Sequence, residues 1–164
     1  MNAKRTAGKP IAWDVEQPGQ SPGYLLWRVS NTWQRRIRAA LKPHKITHAQ
    51  FVVLTCLVWL LDRGATAVTQ VSLAEQAGLD KVTTGDVLEV LERANLVKRR
   101  PHAEDRRAWE VTATAAGRAK VAAGLPDVVA VDRAFFGHLK AETGSFLALM
   151  QRLDAATQDR RTVA

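Results

Sequence analysis

Apolar positions recur with a helical period through most of the chain, and Pro, Gly and capping residues mark the breaks between periodic runs. Ser21 followed by Pro22 is a cap with proline at the first helical position. Leu26, Val29, Trp33, Ile37 and Leu41 then form a helical stripe that Pro43 stops. Thr47 and Gln50 fit a capping box. Residues 51–61 are apolar at every position but Thr55, so a helix there is expected to be buried on nearly all sides as the central core helix, with Gly64 near its C-cap. Residues 66–71 are short and partly β-branched, which suits a minor strand pairing with a later hairpin.

Residues 72–112 read as two short helices, a tight turn and a basic hairpin in unbroken succession. Ser72 and Glu75 make a second capping box, Gly78 ends that helix and Asp80 caps the next at once, which is helix-turn-helix spacing. On the second helix Val87, Leu91 and Ala94 fall within a narrow arc, with Thr84 at its edge, and are expected to face the core. The opposite face then presents Lys81, Val82, Gly85 and Asp86, with Thr83 beside them, followed by Glu89, Glu92 and Arg93. In a helix-turn-helix these first turns meet base edges in the major groove. Val82 suits a thymine methyl, Asp86 suits cytosine N4, and Gly85 lets the helix come close. The competing reading is an ordinary amphipathic helix with solvated acids, since Glu89 and Glu92 would repel phosphates.

The compensation follows directly. Residues 96–100 alternate into Lys98, Arg99, Arg100 and Pro101, and Trp109 and Val111 alternate on the return, so a hairpin is expected with apolar residues at its base. Residues 98–107 hold five Lys or Arg against Glu104 and Asp105, enough charge for the tip to enter a neighbouring minor groove. Further on, Val121, Leu125, Val128, Asp132, Phe135 and Leu139 recur at spacings of three and four, with Pro126 either kinking that helix or marking a restart. Phe146, Met150 and Leu153 define a final helix after Gly144. A winged helix-turn-helix needs far fewer than 164 residues, so the first and last helices are assigned to dimerisation. The alternative is that they extend one monomer's core.

Composition narrows the class. The chain is 46% hydrophobic and 24% charged, as suits one packed domain, and its formal charge of +8 favours an acidic partner, nucleic acid ahead of a membrane surface. Residues 21–65 alone carry seven Lys or Arg against Asp62. Residues 1–20 read as a disordered basic arm, with Lys4, Arg5 and Lys9 but no apolar signal-peptide core. A lone Cys56 and the lack of a membrane-length apolar run point to a reducing cytoplasm, with no membrane partner. Cys56 sits in the most apolar run, where a thiol is usually inert. His44 and His48 are separated by a helix cap and follow Pro43, so no shared metal-binding face is expected. No Gly-rich phosphate loop, activated nucleophile or paired carboxylates are arranged for catalysis, and neither an enzyme nor a cofactor is expected.

Three runs together, SPGYLLWRVSNTWQRRIRAALKPHKITHAQFVVL, SLAEQAGLDKVTTGDVLEVLE and LVKRRPHAEDRRAW, resemble the MarR family of bacterial transcription regulators across about residues 21–155. The most specific piece is Arg99, Arg100 and Pro101 leading to Asp105, Arg106 and Arg107. The resemblance implies a mainly α fold with a small antiparallel hairpin wing. It divides the chain into a basic arm (1–20), an N-terminal dimerisation helix (21–45), a DNA-binding lobe (46–112) and C-terminal dimerisation helices (113–164). It implies a homodimer on a pseudo-palindromic operator in double-stranded DNA, a repressor released by a small aromatic or phenolic ligand. In that reading Asp105 orients Arg107, Arg107 enters the minor groove with Lys98, Arg99 and Arg106 nearby, and Lys81 to Asp86 open the recognition helix. The effector pocket of the family lies beside the first, second and fifth helices, which draws in Tyr24, Trp27, Arg28, Asn31 and His48. A planar anion would stack on the rings and pair with arginine. Core or dimer packing is the competing role for those aromatics, and a winged helix used only for protein interaction is the competing function.

Overall fold

The computed structural model describes residues 14–101 and 109–158. The chain divides into two compact units, one ending at Arg35 and the other beginning at Arg36, inside the first helix.

In the first unit Pro18–Gln20 forms a single 3-10 turn, and Ser21 then opens α1 (Pro22–Leu41) by accepting the Tyr24 N–H at 3.3 Å. The expected apolar stripe is only half used. Leu26 and Val29 are 55% and 44% exposed, whereas Ile37 and Leu41, in the second unit, are fully buried.

The second unit holds the remaining elements. A 3-10 turn at Lys42–His44 follows α1, and Lys45 at φ 53° ends it in the left-handed region. The Thr47 capping box forms as read: Thr47 Oγ1 accepts the Gln50 N–H and Gln50 Oε1 accepts the Thr47 N–H at 3.0 Å. It starts α2 (His48–Asp62), which packs against the next three helices of the chain. Phe51, Val53, Leu54 and Leu57 are buried on it, each such side chain contributing roughly 1.5–3 kcal/mol. The expectation of burial on nearly all sides is corrected at Trp59, which is 48% exposed with the Arg63 guanidinium 5.2 Å from its ring centre.

Two further expectations shift by a few residues. The next helix, α3 (Gln70–Ala77), begins at Thr69 rather than Ser72. Ser72 is the third helical residue, donating to Thr69 O while its own N–H goes to Thr69 Oγ1. The minor strand is thereby reduced to one bridge, Thr69 opposite Glu110, beside a bond from Val111 N–H to Val68 O at 2.7 Å. Gly78 ends α3 at φ 66° and Asp80 caps α4 (Lys81–Arg93). The buried face of α4 is Thr84, Leu88 and Leu91, not Val87, Leu91 and Ala94. Val87 is half-buried and Ala94 exposed. Thr84 tolerates the centre of that face because its hydroxyl donates to Asp80 O at 2.8 Å.

Strands β1 (Val97–Pro101) and β2 (Trp109–Ala113) form the expected antiparallel hairpin, with Val97 opposite Ala113 and Arg100 opposite Glu110. After the Thr114 cap, α5 (Ala115–Phe136) runs continuously through Pro126, so the proline does not restart the helix. A 3-10 segment, Gly137–Glu142, leads to α6 (Thr143–Gln158). Two glycines seat α5 on the lobe. A Cβ on Gly117 would lie 2.1 Å from Leu96 O, and one on Gly124 would lie 2.8 Å from the Phe51 ring. Polar ties reinforce the seat: His44 Nε2 meets Asp127 at 2.7 Å, Lys120 Nζ donates to His44 O, and Arg118 pairs with Asp62. Among the described residues no single helix is long and apolar enough to cross a membrane.

Candidate nucleic-acid interface

The first turn of α4 is held from one end and bare on its outer side. Asp80 accepts the Thr83 N–H at 2.8 Å and the Thr83 hydroxyl at 2.6 Å. Those two bonds hold the Asp80 carboxyl below its ordinary range, so the cap stays ionised at the positive end of the helix. Lys81, Val82, Thr83 and Asp86 are exposed, the apolar Val82 at 74%. Gly85 is half-buried. The space over its Cα is taken by the Gln70 amide, which donates to Lys81 O at 2.9 Å and would stand 2.8 Å from a Cβ.

The basic residues of β1 do not behave as a set. Lys98 is exposed. Arg99 is half-buried, and Glu92 on the last turn of α4 takes its Nε at 2.8 Å, its Nη2 at 2.7 Å and its backbone N–H at 3.1 Å. The guanidinium hydrogen bonds hold the Glu92 carboxyl below its usual range. Arg100 forks onto Glu110 at 2.8 and 3.0 Å, and that pair raises the guanidinium's already high pKa. Glu92, read from the sequence as a charge that would repel phosphate, is thus matched by a cation. That pairing is invisible in periodicity, because seven residues and a turn separate the partners. Asp105, Arg106 and Arg107 lie outside the described residues.

On α1, Tyr24, Trp27, Arg28 and Asn31 do come together. The Tyr24 and Trp27 rings stack with centroids 6.3 Å apart, the Arg28 guanidinium lies 5.7 Å from the Tyr24 ring centre, and Asn31 Nδ2 donates to Trp27 O at 2.8 Å. In the second unit His48 lines a concavity of about 340 Å³ with Arg38, Lys42, Lys45, Ile46, Thr47 and Gln50. Burial first, and Arg38 second, depress the pKa of His48, with Asp132 opposing. This basic concavity was not legible as a unit, since its lysines sit in the turn where helical periodicity stops. Burial raises the pKa of the Cys56 thiol, which is directed at Gln76 O at 3.9 Å, a setting for an inert thiol. Among the described residues no group of three or more His, Cys, Asp or Glu is arranged to hold a metal ion.

Comparison with known proteins agrees with this geometry. The MarR family model matches residues 46–109. An HTH-type transcriptional regulator of Bacillus subtilis, YdcH, is 36% identical over 83% of this chain and 91% of its own length. Among solved structures, BpsR of Bordetella bronchiseptica, described in terms of regulation of its DNA binding by 6-hydroxynicotinic acid, superposes with a TM-score of 0.75 at 28% identity. That match covers 88% of this chain and 97% of BpsR. A mutant of MarR from E. coli complexed with operator DNA superposes at 0.69 with 26% identity, covering 79% of this chain and 90% of its own.

Proposed function

Because the chain belongs to the MarR family of transcription regulators, and is not an enzyme, we propose that it acts as a homodimeric repressor. Each α4 enters the major groove of one half of a pseudo-palindromic operator, and a small aromatic or phenolic ligand releases the DNA. The observation that carries the reading is the capped, bare first turn of α4 with Lys98 on the adjoining strand. Lys81, Val82 and Asp86 are the exposed residues that meet base edges, with Thr83, whose hydroxyl is given to Asp80, beside them and Gly85 behind them. Lys98, Arg106 and Arg107 serve the backbone and minor groove, with Asp105 orienting Arg107. Arg99, tied to Glu92, is a weaker direct contact than the sequence suggested.

Dimerisation is supported by apolar surface left bare in one chain. On α1, Trp27 is 64% and Leu26 55% exposed; on α6, Leu153 is 61% and Leu147 56% exposed. Apolar helix faces of this kind are usually covered by a partner, and a two-fold pair matches half-sites about 34–36 Å apart. The ligand reading draws on the Tyr24, Trp27, Arg28 and Asn31 set and, separately, on the basic concavity holding His48. The neighbour BpsR responds to an aromatic acid, 6-hydroxynicotinic acid.

The test is to titrate the full chain onto duplexes covering the DNA that flanks its gene, at about 50 and about 200 mM salt. Affinity should fall on the order of a thousandfold between them, and further with Arg107→Ala. A panel of aromatic acids should release the DNA and raise the melting temperature. Absence of binding to any duplex at low salt would leave the protein-interaction module as the better account.

A further inference from the structure

The hairpin root is clamped from two sides. On one edge, the Glu92 carboxylate at the end of α4 grips both the backbone and the guanidinium of Arg99. On the other, β2 is bridged to Thr69 and Val111 N–H donates to Val68 O, immediately before α3. Between them the largely buried Glu110 takes the Arg100 fork across the strands. Two arginines of the basic run are thereby each paired with a carboxylate.

Resting on the DNA-binding reading above, we infer that Glu92 and Arg99 are positioning residues for operator recognition: their ion pair fixes the wing relative to the recognition helix instead of neutralising a phosphate. The physical reason is that a duplex presents its major groove and the adjacent minor groove at a set separation. A wing and a helix engage both together only if the link between them is stiff. The bond from Glu92 to the Arg99 backbone is what makes this pair more than a surface salt bridge, because it anchors the strand itself as well as a long side chain. The two roles predict opposite signs for loss of Glu92. If only charge mattered, removing an acid beside DNA would tighten binding to every duplex. If the pair is a brace, binding to the operator weakens while binding to unrelated DNA does not.

The experiment uses the full chain and two duplexes of equal length: one selected from a random library by the wild-type protein, and a scrambled version. Anisotropy titrations at two salt concentrations compare wild type, Glu92→Gln, Arg99→Met, Arg99→Lys, and a double variant combining Glu92→Gln with Arg99→Met, with thermal melts alongside. Each single change should lower the ratio of operator to scrambled affinity by about tenfold, the size of one good charge-assisted contact, and the combined change should be no worse than either alone. Arg99→Lys should fall with them, since it keeps the charge and loses the fork, and it guards against a methionine variant that fails to fold. The inference is overturned if Arg99→Met weakens both duplexes equally with a salt slope reduced by about 0.9, if Arg99→Lys behaves as wild type, or if Glu92→Gln tightens both. Failure of the wild-type chain to select any duplex would overturn the DNA-binding reading itself, a result distinct from an unchanged ratio.

Discussion

Among the described glycines Gly117 has the least room for a side chain, and replacing it by alanine tests the packing directly. A Cβ there would stand 2.1 Å from the Leu96 carbonyl oxygen and 3.4 Å from Leu54 Cδ1. A carbon and a carbonyl oxygen settle at roughly 3.3 Å or more, so the two must part by on the order of 1 Å. The carbonyl is not free to retreat, because it accepts both the N–H and the hydroxyl of Thr114 at 3.1 Å, and the Leu96 N–H is itself bonded to Leu91 O at 2.9 Å. Alanine favours a helix over glycine by about 1 kcal/mol. Against that stand about 1–3 kcal/mol of overpacking and about 0.5–1.5 kcal/mol for each Thr114 bond disturbed. The net is a loss of about 2 kcal/mol, or roughly 4–8 °C in melting temperature for a chain of this size. Gly85→Ala is the contrast. Its Cβ would meet only the end of the Gln70 side chain, which swings aside at the loss of one exposed bond to Lys81 O. Its stability should stay within about 0.5 kcal/mol of wild type. Parallel urea and thermal melts read both. A Gly117→Ala protein as stable as wild type, or a Gly85→Ala protein equally damaged, would refute the reasoning.

Other outcomes follow from the same contacts. Thr47→Ala removes one half of the α2 capping box and should cost about 1 kcal/mol in chemical denaturation, with Thr47→Ser close to neutral. Leu88→Ala opens space on the fully buried face of α4 and should cost about 2–5 kcal/mol, whereas Val87→Ala, on a half-buried position, should cost clearly less. Since burial and Arg38 depress the pKa of His48, the unfolded chain takes up its proton first. Stability should therefore decline as pH falls below about 6.5 and level off once the folded-state pKa is passed. His48→Gln should remove that part of the slope in a pH series of urea melts.

What the sequence made legible was local. The Thr47 and Gln50 box, the αL glycine at Gly78 and the Asp80 cap each depend on residues three or four apart, and each forms as read. Where a strand was expected over 66–71 and a cap at Ser72, the helix starts instead at the Thr69 cap, with Val68 and Leu73 buried on either side of it. Thr84 misled for another reason, because a hydroxyl satisfied by its own helix packs like an apolar group while its letter reads as polar. The charge pattern was the least transparent. Glu92 with Arg99 and Arg100 with Glu110 are matched only once the chain has folded, so a count of Lys and Arg overstates how many cations remain for DNA. The same holds for α1, whose stripe is continuous in sequence but fully sheltered within one chain only at Ile37 and Leu41.

The uninterrupted passage of α5 through Pro126 has a mechanical consequence. Proline brings no N–H, so the carbonyl of Ala122 receives no bond from it and the ladder of the helix misses one rung. Upstream of the gap the helix is bolted down by buried Gly117, Val121 and Gly124. Downstream, residues such as Val129 face outward. The rod therefore carries one weak rung at a fixed place, between a closely seated stretch and a more exposed one. Amide exchange should register the seam as a step in protection, slow before Leu125 and faster after Asp127. A missing rung of this kind is where a torque applied to the far end of α5 would be absorbed first, ahead of the stretch seated by Gly117 and Gly124.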